Sequence, residues 1–386
     1  MKTAKTANTI KVTLLCSDLA FGGIQKTALL LADGLAAKEG LSVNLAVLRG
    51  GGEFMGRHSP DVKALCLDCT SQPLALLLPN SRLAGYLASE KPDVVISFGH
   101  STNCLAAWAK LSGAYPFRLI VTEHSSFSAR MARDSAFHRW RRAARARFLY
   151  KEAETCVCVS EGVASDLIEE KVIPKEKARV IYNPLSGPRL DAETREQADH
   201  PWLREDVSIP VIMSAGRLLP LKGIDTLIKA FSLLRRDMKA PARLMIAGDG
   251  PDRKRLEALS GELRVAEDVC FLGYVPNPCA YMPKASVFVL SSLYEGFSNV
   301  IVEALACGVN VVSTDCRSGP GEILERGKWG RLVPVGDHGA MAEAIFDIMK
   351  RPLPPEELKS RASCFSAERS VDAYYGIIKR DGTGAS

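Results

Sequence analysis

The sequence predicts an α/β protein of two domains, each built on a parallel sheet with helices on both faces. Short apolar segments alternate with amphipathic segments along the whole chain, a pattern typical of parallel strands joined by helices. The 386 residues exceed the usual size of a single hydrophobic core. The alternation also starts again after residues 183–205, a polar stretch with three prolines and no periodic pattern. We therefore expect two domains joined by a linker, with a deep cleft beside it.

Six strands are predicted in the first half of the chain, with helices between them. They lie near residues 10–15, 42–48, 93–97, 118–122, 156–159 and 178–182. The apolar run of the first strand is too short for the core of a signal peptide, and no convincing cleavage site follows it. No apolar run in the chain approaches the roughly 18 to 20 residues that span a bilayer. We therefore expect a cytoplasmic protein.

The second half repeats the pattern with five predicted strands. They are VIMSAG at 211–216, LMIAG at 244–248, VCFLG at 269–273, VFVL at 287–290 and NVVST at 310–314. Residues 368–379 carry apolar side chains at helical spacing, which predicts a helix that packs back towards the first domain. We place the first domain at residues 1–187, the second at 188–365 and the C-terminal helix at 366–386.

The composition is that of an ordinary globular protein, but its positive charge is unevenly placed. The net charge is +6, and the segment 128–152, with seven arginines and one lysine against two acids, carries the same excess alone. The eleven cysteines are scattered through predicted strands and helices and do not resemble a disulfide framework. Cys66 and Cys69 form a single CxxC pair, which favours reduced structural thiols over a zinc or redox site.

Two acids, Glu295 and Glu303, stand where a predicted strand gives way to a helix. Gly296 loosens the turn, and Ser298 or Asn299 can cap the helix. Open α/β sheets bind ligands at this carboxyl edge. A fully helical path would separate the acids by about 12 Å, whereas a glycosidase pair needs roughly 5 to 9.5 Å. The spacing therefore favours binding of two parts of one elongated ligand; the alternative for Glu303 is a solvated helix position.

The second half also carries a series of motifs in a fixed order. They are SAGRLLPLKGIDTLIKAF, LMIAGDGP, FLGYV, YEGFSNVIVEALACGVNVVSTD and GRLVPVGD. Together they resemble the retaining glycosyltransferases of family 4, over most of the chain and most densely at 214–337. The resemblance implies two facing Rossmann-like domains, the GT-B architecture, and a nucleotide-sugar donor with no metal or other cofactor. STDCRSGPGEIL and GKWGRLVPVGD resemble the bacterial enzymes that extend polyprenyl-diphosphate-linked glycans.

The donor site implied by this resemblance lies mainly in the second domain. Arg217 and Lys222 match the diphosphate clamp, since a helix start and two cations can neutralise two phosphates without a metal. Glu303 matches the ligand of the ribose hydroxyls and Glu295 that of the donor sugar. The remaining donor positions are Gly22 and Gly23 near the phosphates, Tyr274 and Val275 near the base, and Gly296, Phe297, Ser298, Asn299 and Val300, whose backbone N–H groups face sugar and phosphate. For Tyr274 and Val275 the alternative is a strand end packed in the core.

His124 follows a predicted strand in the motif VTEHSSF. It matches the position where relatives contact the donor sugar near the bond that breaks, which makes it a candidate catalytic residue beside Arg217, Lys222 and Glu295. The alternative is a structural histidine. For the neighbouring Glu123 we expect a structural role.

The basic segment after His124 predicts a helix that handles the acceptor. Arg141, Arg142 and Arg145 share a face at helical spacing. The predicted apolar anchors beside them are Phe137, Trp140, Phe148 and Leu149. Such a helix suits an anionic membrane surface or a lipid-linked diphosphate. A solvated basic face is the alternative, and we expect no nucleic-acid partner because no nucleic-acid module is recognisable.

The sequence therefore predicts a retaining glycosyltransferase. It would move a hexose or N-acetylhexosamine from a nucleotide-sugar, which we expect to be UDP-linked, to a lipid-linked saccharide in bacterial surface-glycan or glycoprotein synthesis. We expect it at the inner face of the cytoplasmic membrane. The alternatives are a GT-B glycosyltransferase with a soluble acceptor, a nucleotide-sugar epimerase, and a non-catalytic membrane-binding scaffold.

Overall fold

The chain folds into two compact units, which a computed structural model describes for most of its length. The described residues are 9–20, 22–50, 52, 54–69, 82–113, 115–132, 134–185, 187–196, 198–204 and 208–380. Arg133 of the basic segment lies outside them. The first unit comprises Met1–Pro184 with Ala367–Ser386, and the second comprises Leu185–Ser366. The chain thus passes between the units twice.

The first unit is built on a seven-stranded parallel sheet in the order β3-β2-β1-β4-β5-β6-β7. Its strands are β1 (Ile10–Cys16), β2 (Leu41–Val47), β3 (Lys63–Cys66), β4 (Val94–Phe98), β5 (Arg118–Glu123), β6 (Thr155–Cys158) and β7 (Ala178–Val180). Its helices before the second unit are α1 (Gly23–Ala36), α2 (Arg82–Glu90), α3 (His100–Leu111), α4 (Phe127–Arg130), α5 (Ala136–Tyr150) and α6 (Glu161–Glu169). The strand order reverses at β1, so β1 and β4 flank the point where such sheets bind ligands.

The second unit repeats this plan with six parallel strands in the order β10-β9-β8-β11-β12-β13. The strands are β8 (Val211–Ala215), β9 (Arg243–Ala247), β10 (Val269–Gly273), β11 (Val287–Leu290), β12 (Val311–Thr314) and β13 (Arg331–Val333). The helices are α7 (Pro188–Arg195), α8 (Ile224–Arg236), α9 (Arg253–Glu262), α10 (Asn299–Ala306), α11 (Pro320–Ile323), α12 (His338–Lys350) and α13 (Pro355–Ser363). Here the order reverses between β8 and β11, which makes their following loops neighbours. Two Rossmann-like domains with parallel sheets confirm the predicted fold class.

The predicted linker is more ordered than its sequence indicates. It contains α7 and a 3-10 turn at Pro201–Leu203. The helix begins with a proline after Gly187, as helix starts commonly do, but its eight residues are too few for an apolar stripe to show. The Asn277 side chain donates to the Glu193 carbonyl at 2.8 Å, which ties α7 into the second unit.

The C-terminal helix α14 (Ala367–Lys379) belongs to the first unit, as predicted. Its residues Val371, Tyr374 and Ile378 join the core that contains α1 and β1. The Arg118 guanidinium, at the start of β5, donates to the last carbonyls of this helix, Ile377 at 3.0 Å and Ile378 at 2.7 Å. The returning helix therefore completes the first core.

Two further observations concern membranes and thiols. Among the residues that the structure describes, no helix combines the length and apolar character needed to cross a membrane. All eleven cysteines are unpaired thiols. The Cys66 thiol donates to the Asp68 carboxylate at 3.2 Å in the turn after β3.

Candidate active site

The loop after β8 carries both predicted diphosphate ligands and lies against the loop after β11. Lys222 ends a 3-10 turn, and Gly223, with φ of +59°, leads into α8. A Cβ atom on Gly223 would stand 2.2 Å from the Ser291 carbonyl oxygen. The Leu293 N–H donates to the Leu221 carbonyl at 2.8 Å. Glycine is therefore needed both for the left-handed turn and for the close approach of the two loops.

Lys222 and Glu295 form an ion pair at this junction. The Lys222 Nζ lies 2.6 Å from the Glu295 Oε1, and both side chains are largely shielded from water. The Ser292 hydroxyl donates to the same carboxylate oxygen at 2.6 Å. Within the described part of the chain, the second oxygen of Glu295 accepts no hydrogen bond. That oxygen remains able to accept a hydroxyl group of a ligand.

Arg217 adds a second cation to the same loop. Its side chain is exposed and forms no ion pair with any residue in the described ranges. A guanidinium presents a fixed fork of donors that suits phosphate oxygens. The loop thus offers one cation already anchored by Glu295 and one that can turn to a ligand.

The glycines of the motif LMIAGDGP support the Arg217 loop from the β9 side. A Cβ atom on Gly248 would lie 1.9 Å from the Gly216 carbonyl oxygen. The Leu218 N–H donates to the Asp249 carbonyl at 2.9 Å. A Cβ atom on Gly250 would clash with the Leu218 backbone at 2.3 Å. This motif therefore acts by shaping the backbone around Arg217.

The start of α10 differs in detail from its prediction. Ser298 occupies the N-cap position, but it has φ of +79°, and its hydroxyl makes no capping hydrogen bond. That hydroxyl is buried and finds no partner among the described residues. A Cβ atom on Gly319 would stand 2.2 Å from the Phe297 carbonyl oxygen, so the backbone at 319 holds this turn in place. The prediction of a side-chain cap at Ser298 is wrong, because the left-handed backbone directs the residue away from a capping geometry.

Glu303 lies in the second turn of α10 and is only 6% exposed. The alternative of a solvated helix position is therefore wrong. Because α10 begins at Asn299, only the later steps from Glu295 to Glu303 are helical. The separation of about 12 Å for a fully helical path does not apply.

Tyr274 and Val275 follow β10, after Gly273 with φ of +74°. The Tyr274 side chain is 48% exposed, and Val275 is half-buried. Packing of Tyr274 in the core is therefore excluded. Its predicted contact with a nucleotide base stays a prediction.

In the first unit, the glycine pair stands at the start of α1. Gly22 is the N-cap residue, and its φ of 177° is extended backbone that any residue adopts. A Cβ atom on Gly22 would meet the Gln25 Oε1 at 2.3 Å. The Gln25 amide donates to the Asp18 carboxylate at 2.9 Å. Gly22 thus makes room for Gln25, whereas the predicted approach of Gly22 and Gly23 to phosphates stays a prediction.

His124 lies at the end of β5 as a neutral imidazole. The Thr122 hydroxyl donates its proton to the Ser97 carbonyl at 2.8 Å, so it must accept from the His124 Nε2–H at 2.8 Å. Burial lowers the pKa of His124 to about 4. The Nδ1 atom is consequently an unprotonated acceptor near neutral pH. This state suits a hydrogen bond from a sugar hydroxyl.

A buried charged network next to His124 is absent from the sequence prediction. We name it the Glu123 network: the Glu123 carboxylate contacts His100 Nδ1 at 3.2 Å and Arg130 at 3.3 Å, and it accepts from the Tyr150 hydroxyl. Asn103 joins it through the Tyr150 hydroxyl at 3.1 Å. The expectation of a structural Glu123 agrees with its complete burial. The missed residue His100 has one weak signal, its place directly after the apolar strand in VVISFGH.

The Glu123 network fixes the charge of its members. Burial opposes ionisation of Glu123, but Arg130 and His100 outweigh it and lower the pKa of Glu123 to about 2. Burial also opposes protonation of His100, but hydrogen bonds to Cys104 and Glu123 and the Glu123 charge raise the pKa of His100 to about 9. At neutral pH the network therefore contains an ionised Glu123 carboxylate beside two cations, Arg130 and protonated His100.

The basic helix α5 is exposed over most of its surface. Arg141, Arg142 and Arg145 reach solvent, and Arg142 pairs with Asp134 at 3.0 Å. Its aromatic side chains Phe137, Trp140 and Phe148 are 64%, 62% and 55% exposed. Leu149 is buried with Ala143 and Ala146, so its prediction as a surface anchor is wrong. It falls on the helix stripe that faces the core.

Comparison with known proteins assigns both units. Residues 21–186 match the family model "Glycosyltransferase Family 4", and residues 196–364 match "Glycosyl transferases group 1". The Campylobacter jejuni N-acetylgalactosamine-N,N'-diacetylbacillosaminyl-diphospho-undecaprenol 4-alpha-N-acetylgalactosaminyltransferase is 31% identical over 71% of this chain and 72% of its own length. The Rhizobium meliloti lipopolysaccharide core biosynthesis glycosyltransferase LpsE is 31% identical over 59% of this chain and 65% of its own.

Solved structures support the fold. The Anabaena protein HepE in complex with UDP superimposes with a TM-score of 0.75 at 18% identity, covering 96% of this chain and 99% of that one. The matched families, the motif order and the two Rossmann-like units agree with one another. This chain belongs to the family 4 glycosyltransferases and has the GT-B fold.

Proposed function

We propose that this glycosyltransferase transfers a hexose or N-acetylhexosamine from a UDP-linked donor to a hydroxyl of a lipid-linked saccharide, with retention of anomeric configuration. The observation that carries the donor part is the Lys222–Glu295 ion pair beside the exposed cation Arg217. An ammonium has three protons, so Lys222 can donate to Glu295 and to a phosphate together. The structural relative HepE is solved in complex with UDP, which supports the choice of a UDP-linked donor.

The chemistry proposed for this site is electrostatic. Lys222 and Arg217 would stabilise the charge that develops on the departing diphosphate. The second oxygen of Glu295 would accept a hydroxyl of the donor sugar. Because Glu295 is engaged by Lys222 and Ser292, its arrangement suits binding rather than attack on the anomeric carbon. The acceptor would then enter on the face of the leaving group, whose phosphate takes the acceptor proton.

Two cations in the diphosphate loop also support the proposal that transfer needs no metal ion. In many phosphoryl-binding sites a divalent cation supplies the positive charge. Here Arg217 and Lys222 supply two charges from one loop. Transfer should therefore proceed at an unchanged rate in excess EDTA.

The acceptor part of the proposal rests on the named relatives and on α5. The name of the Campylobacter relative gives it a diphospho-undecaprenol saccharide as acceptor, and LpsE is named for lipopolysaccharide core biosynthesis. Exposed arginines next to exposed Phe137 and Trp140 suit a surface with anionic headgroups over apolar chains. We propose that the enzyme works at the inner face of the cytoplasmic membrane, attached through α5.

A donor and acceptor screen tests the proposal. The purified chain is incubated with a panel of UDP-, GDP- and ADP-sugars and a polyprenyl-diphosphate-linked saccharide, and the products are identified by mass spectrometry and by NMR of the anomeric proton. We expect transfer from a UDP-sugar. The new glycosidic bond should have the same anomeric configuration, axial or equatorial, as the bond in the donor.

Three results would contradict this function. Isomerised donor without acceptor would indicate an epimerase, and transfer only to a water-soluble saccharide would exclude the lipid-linked acceptor. Failure of every nucleotide in the panel to bind in calorimetry would favour a non-catalytic scaffold.

A further inference from the structure

We propose that the buried hydroxyls of Ser292 and Thr314 are positioning residues that fix the Glu295 carboxylate and, through it, Lys222. This inference rests on the proposed function. Neither residue belongs to the sites predicted above. Their role follows from a continuous chain of short hydrogen bonds that ends on the ion pair.

The chain begins at the end of β12. The Thr314 hydroxyl donates to the Ser292 carbonyl at 2.6 Å. Thr314 is itself held in the sheet, since it pairs with Val333 of β13. The parallel register of β11 and β12 aligns Leu290 with Ser313, so the residues just after β11 pass beside Thr314. Ser292 is thereby anchored to β12, an interior strand of the sheet, by the Thr314 side chain.

The chain continues through Ser292 to the carboxylate. The Ser292 hydroxyl donates to the Glu295 Oε1 at 2.6 Å, the same oxygen that Lys222 contacts at 2.6 Å. Both Ser292 and Thr314 are completely buried, so water does not compete for these bonds. A hydroxyl that donates to a buried charged group makes one of the stronger hydrogen bonds in proteins.

This arrangement distinguishes the two oxygens of Glu295. One oxygen receives two internal donors, and the other is left to the ligand. Without the Ser292 hydroxyl the carboxylate can rotate about its last bond, and either oxygen can turn to Lys222. The carboxylate oxygen that binds the sugar hydroxyl and the Lys222 ammonium would then both occupy a wider range of positions. This slows a reaction that depends on their placement.

Kinetics of matched variants test the role. We expect Ser292→Ala to lower kcat about tenfold and Thr314→Val to lower it about threefold, whereas Thr314→Ser, which keeps the hydroxyl, should retain the wild-type rate. Ser313→Ala is the matched control: its hydroxyl is also buried on β12, but it donates to the Thr314 carbonyl. That variant should change kcat less than about twofold. The donor is a UDP-linked N-acetylhexosamine, with a polyprenyl-diphosphate-linked saccharide as acceptor.

Two further readouts separate positioning from general loosening of the loop. Calorimetric binding of UDP, which lacks the sugar, should weaken less in Ser292→Ala than binding of the UDP-sugar does, because only the UDP-sugar also contacts Glu295. In a double-mutant cycle, Ser292→Ala should add little to Glu295→Ala, because it acts through that carboxylate. Thermal unfolding of each variant shows whether it is folded. If Ser292→Ala fails to fold, the comparison of Thr314→Val with Thr314→Ser tests the proposal instead.

The outcomes are distinct. Equal loss in Ser292→Ala and Ser313→Ala, or independent effects of Ser292→Ala and Glu295→Ala, would overturn the positioning role while the wild type still transfers sugar. A wild type that transfers no sugar overturns the proposed function and this inference with it.

Discussion

Lys222 supplies a positive charge that can contact Glu295 and a bound ligand at the same time. Its ammonium makes one contact to Glu295, and its remaining protons are available to phosphate oxygens. We predict that Lys222→Ala lowers kcat about 100-fold, as loss of one preorganised donor does elsewhere. Steady-state kinetics with saturating UDP-sugar measure this. The control is Lys229→Ala, an exposed lysine on α8; near-normal turnover in Lys222→Ala would remove Lys222 from the diphosphate clamp.

Glu303 should act on donor binding more than on the chemical step. It is buried in α10, and its proposed ligand is the ribose diol, which does not change during transfer. We predict that Glu303→Ala raises the donor KM at least about tenfold and lowers kcat less than about threefold. Competition by UDP measured with labelled donor gives the affinity independently. An unchanged KM would count against the ribose role.

The residues of the site differ in how far sequence could locate them. Motif spacing placed Lys222 and Glu295 in one domain, but their ion pair joins positions 73 residues apart. A local pattern carries no information on such a contact. The Glu123 network was missed for the same reason, since His100, Glu123 and Tyr150 come from three separate elements. At Ser298 the sequence suggested a cap, but the residue has φ of +79°, in a turn where the backbone of Gly319 packs closely against Phe297.

Among the elements, the Glu123 network joins α3, β5 and α5. It should make the free energy of unfolding depend on pH. Glu123 has a folded pKa of about 2 against 4.5, so its contribution is present above pH 4.5 and is lost as pH falls towards 2. His100 has a folded pKa of about 9 against 6.5, so its contribution is complete below pH 6.5 and is lost as pH rises through 9. Urea unfolding should therefore show greatest stability at about pH 5 to 6.5.

Variants separate this network from general titration. Glu123→Ala leaves Arg130 and His100 without their buried partner and should lower the free energy of unfolding by about 3 kcal/mol at pH 6. His100→Gln should remove the loss of stability between pH 7 and 9, with the acid side of the profile retained. An unchanged alkaline limb in His100→Gln would show that another group controls it.

Helix α5 should bind membranes by charge and by exposed rings together. We predict that the triple change of Arg141, Arg142 and Arg145 to Glu abolishes flotation with vesicles of anionic phospholipid at low salt, because it reverses three charges that face solvent. The matched control reverses three exposed cations of the second unit, Lys229, Arg236 and Lys254. Wild-type flotation that is equal on neutral and anionic vesicles, or equal loss in both triple variants, would contradict attachment through α5.

The elements that escaped sequence prediction are short or lie at an edge. The strands β3 and β13 have four and three residues, and β3 is partly exposed, so neither contains a buried apolar run. The helix α7 was hidden in a polar stretch because eight residues show no periodicity. The long buried strands were predicted because parallel sheets covered on both faces need continuous apolar segments.

At the scale of the whole molecule, the chain returns to its first unit after completing the second. The returning helix α14 packs against α1 of the first unit. Gly34 lies in α1, where alanine would ordinarily be favoured by about 1 kcal/mol. Here a Cβ atom would stand 2.3 Å from the Val371 Cγ2, and a valine side chain is stiff. Close packing at this point therefore outweighs helix propensity.

We predict that Gly34→Ala destabilises the first unit by about 1 to 3 kcal/mol, as overpacking does. Adding Val371→Ala should recover part of this loss, although Val371→Ala alone is destabilising because it leaves a cavity. Two of the four tryptophans, Trp108 and Trp140, lie in the first unit, so fluorescence in a Trp202→Phe, Trp329→Phe background reports that unit alone. Additive effects of the two changes on urea unfolding would show that α1 and α14 do not depend on this contact.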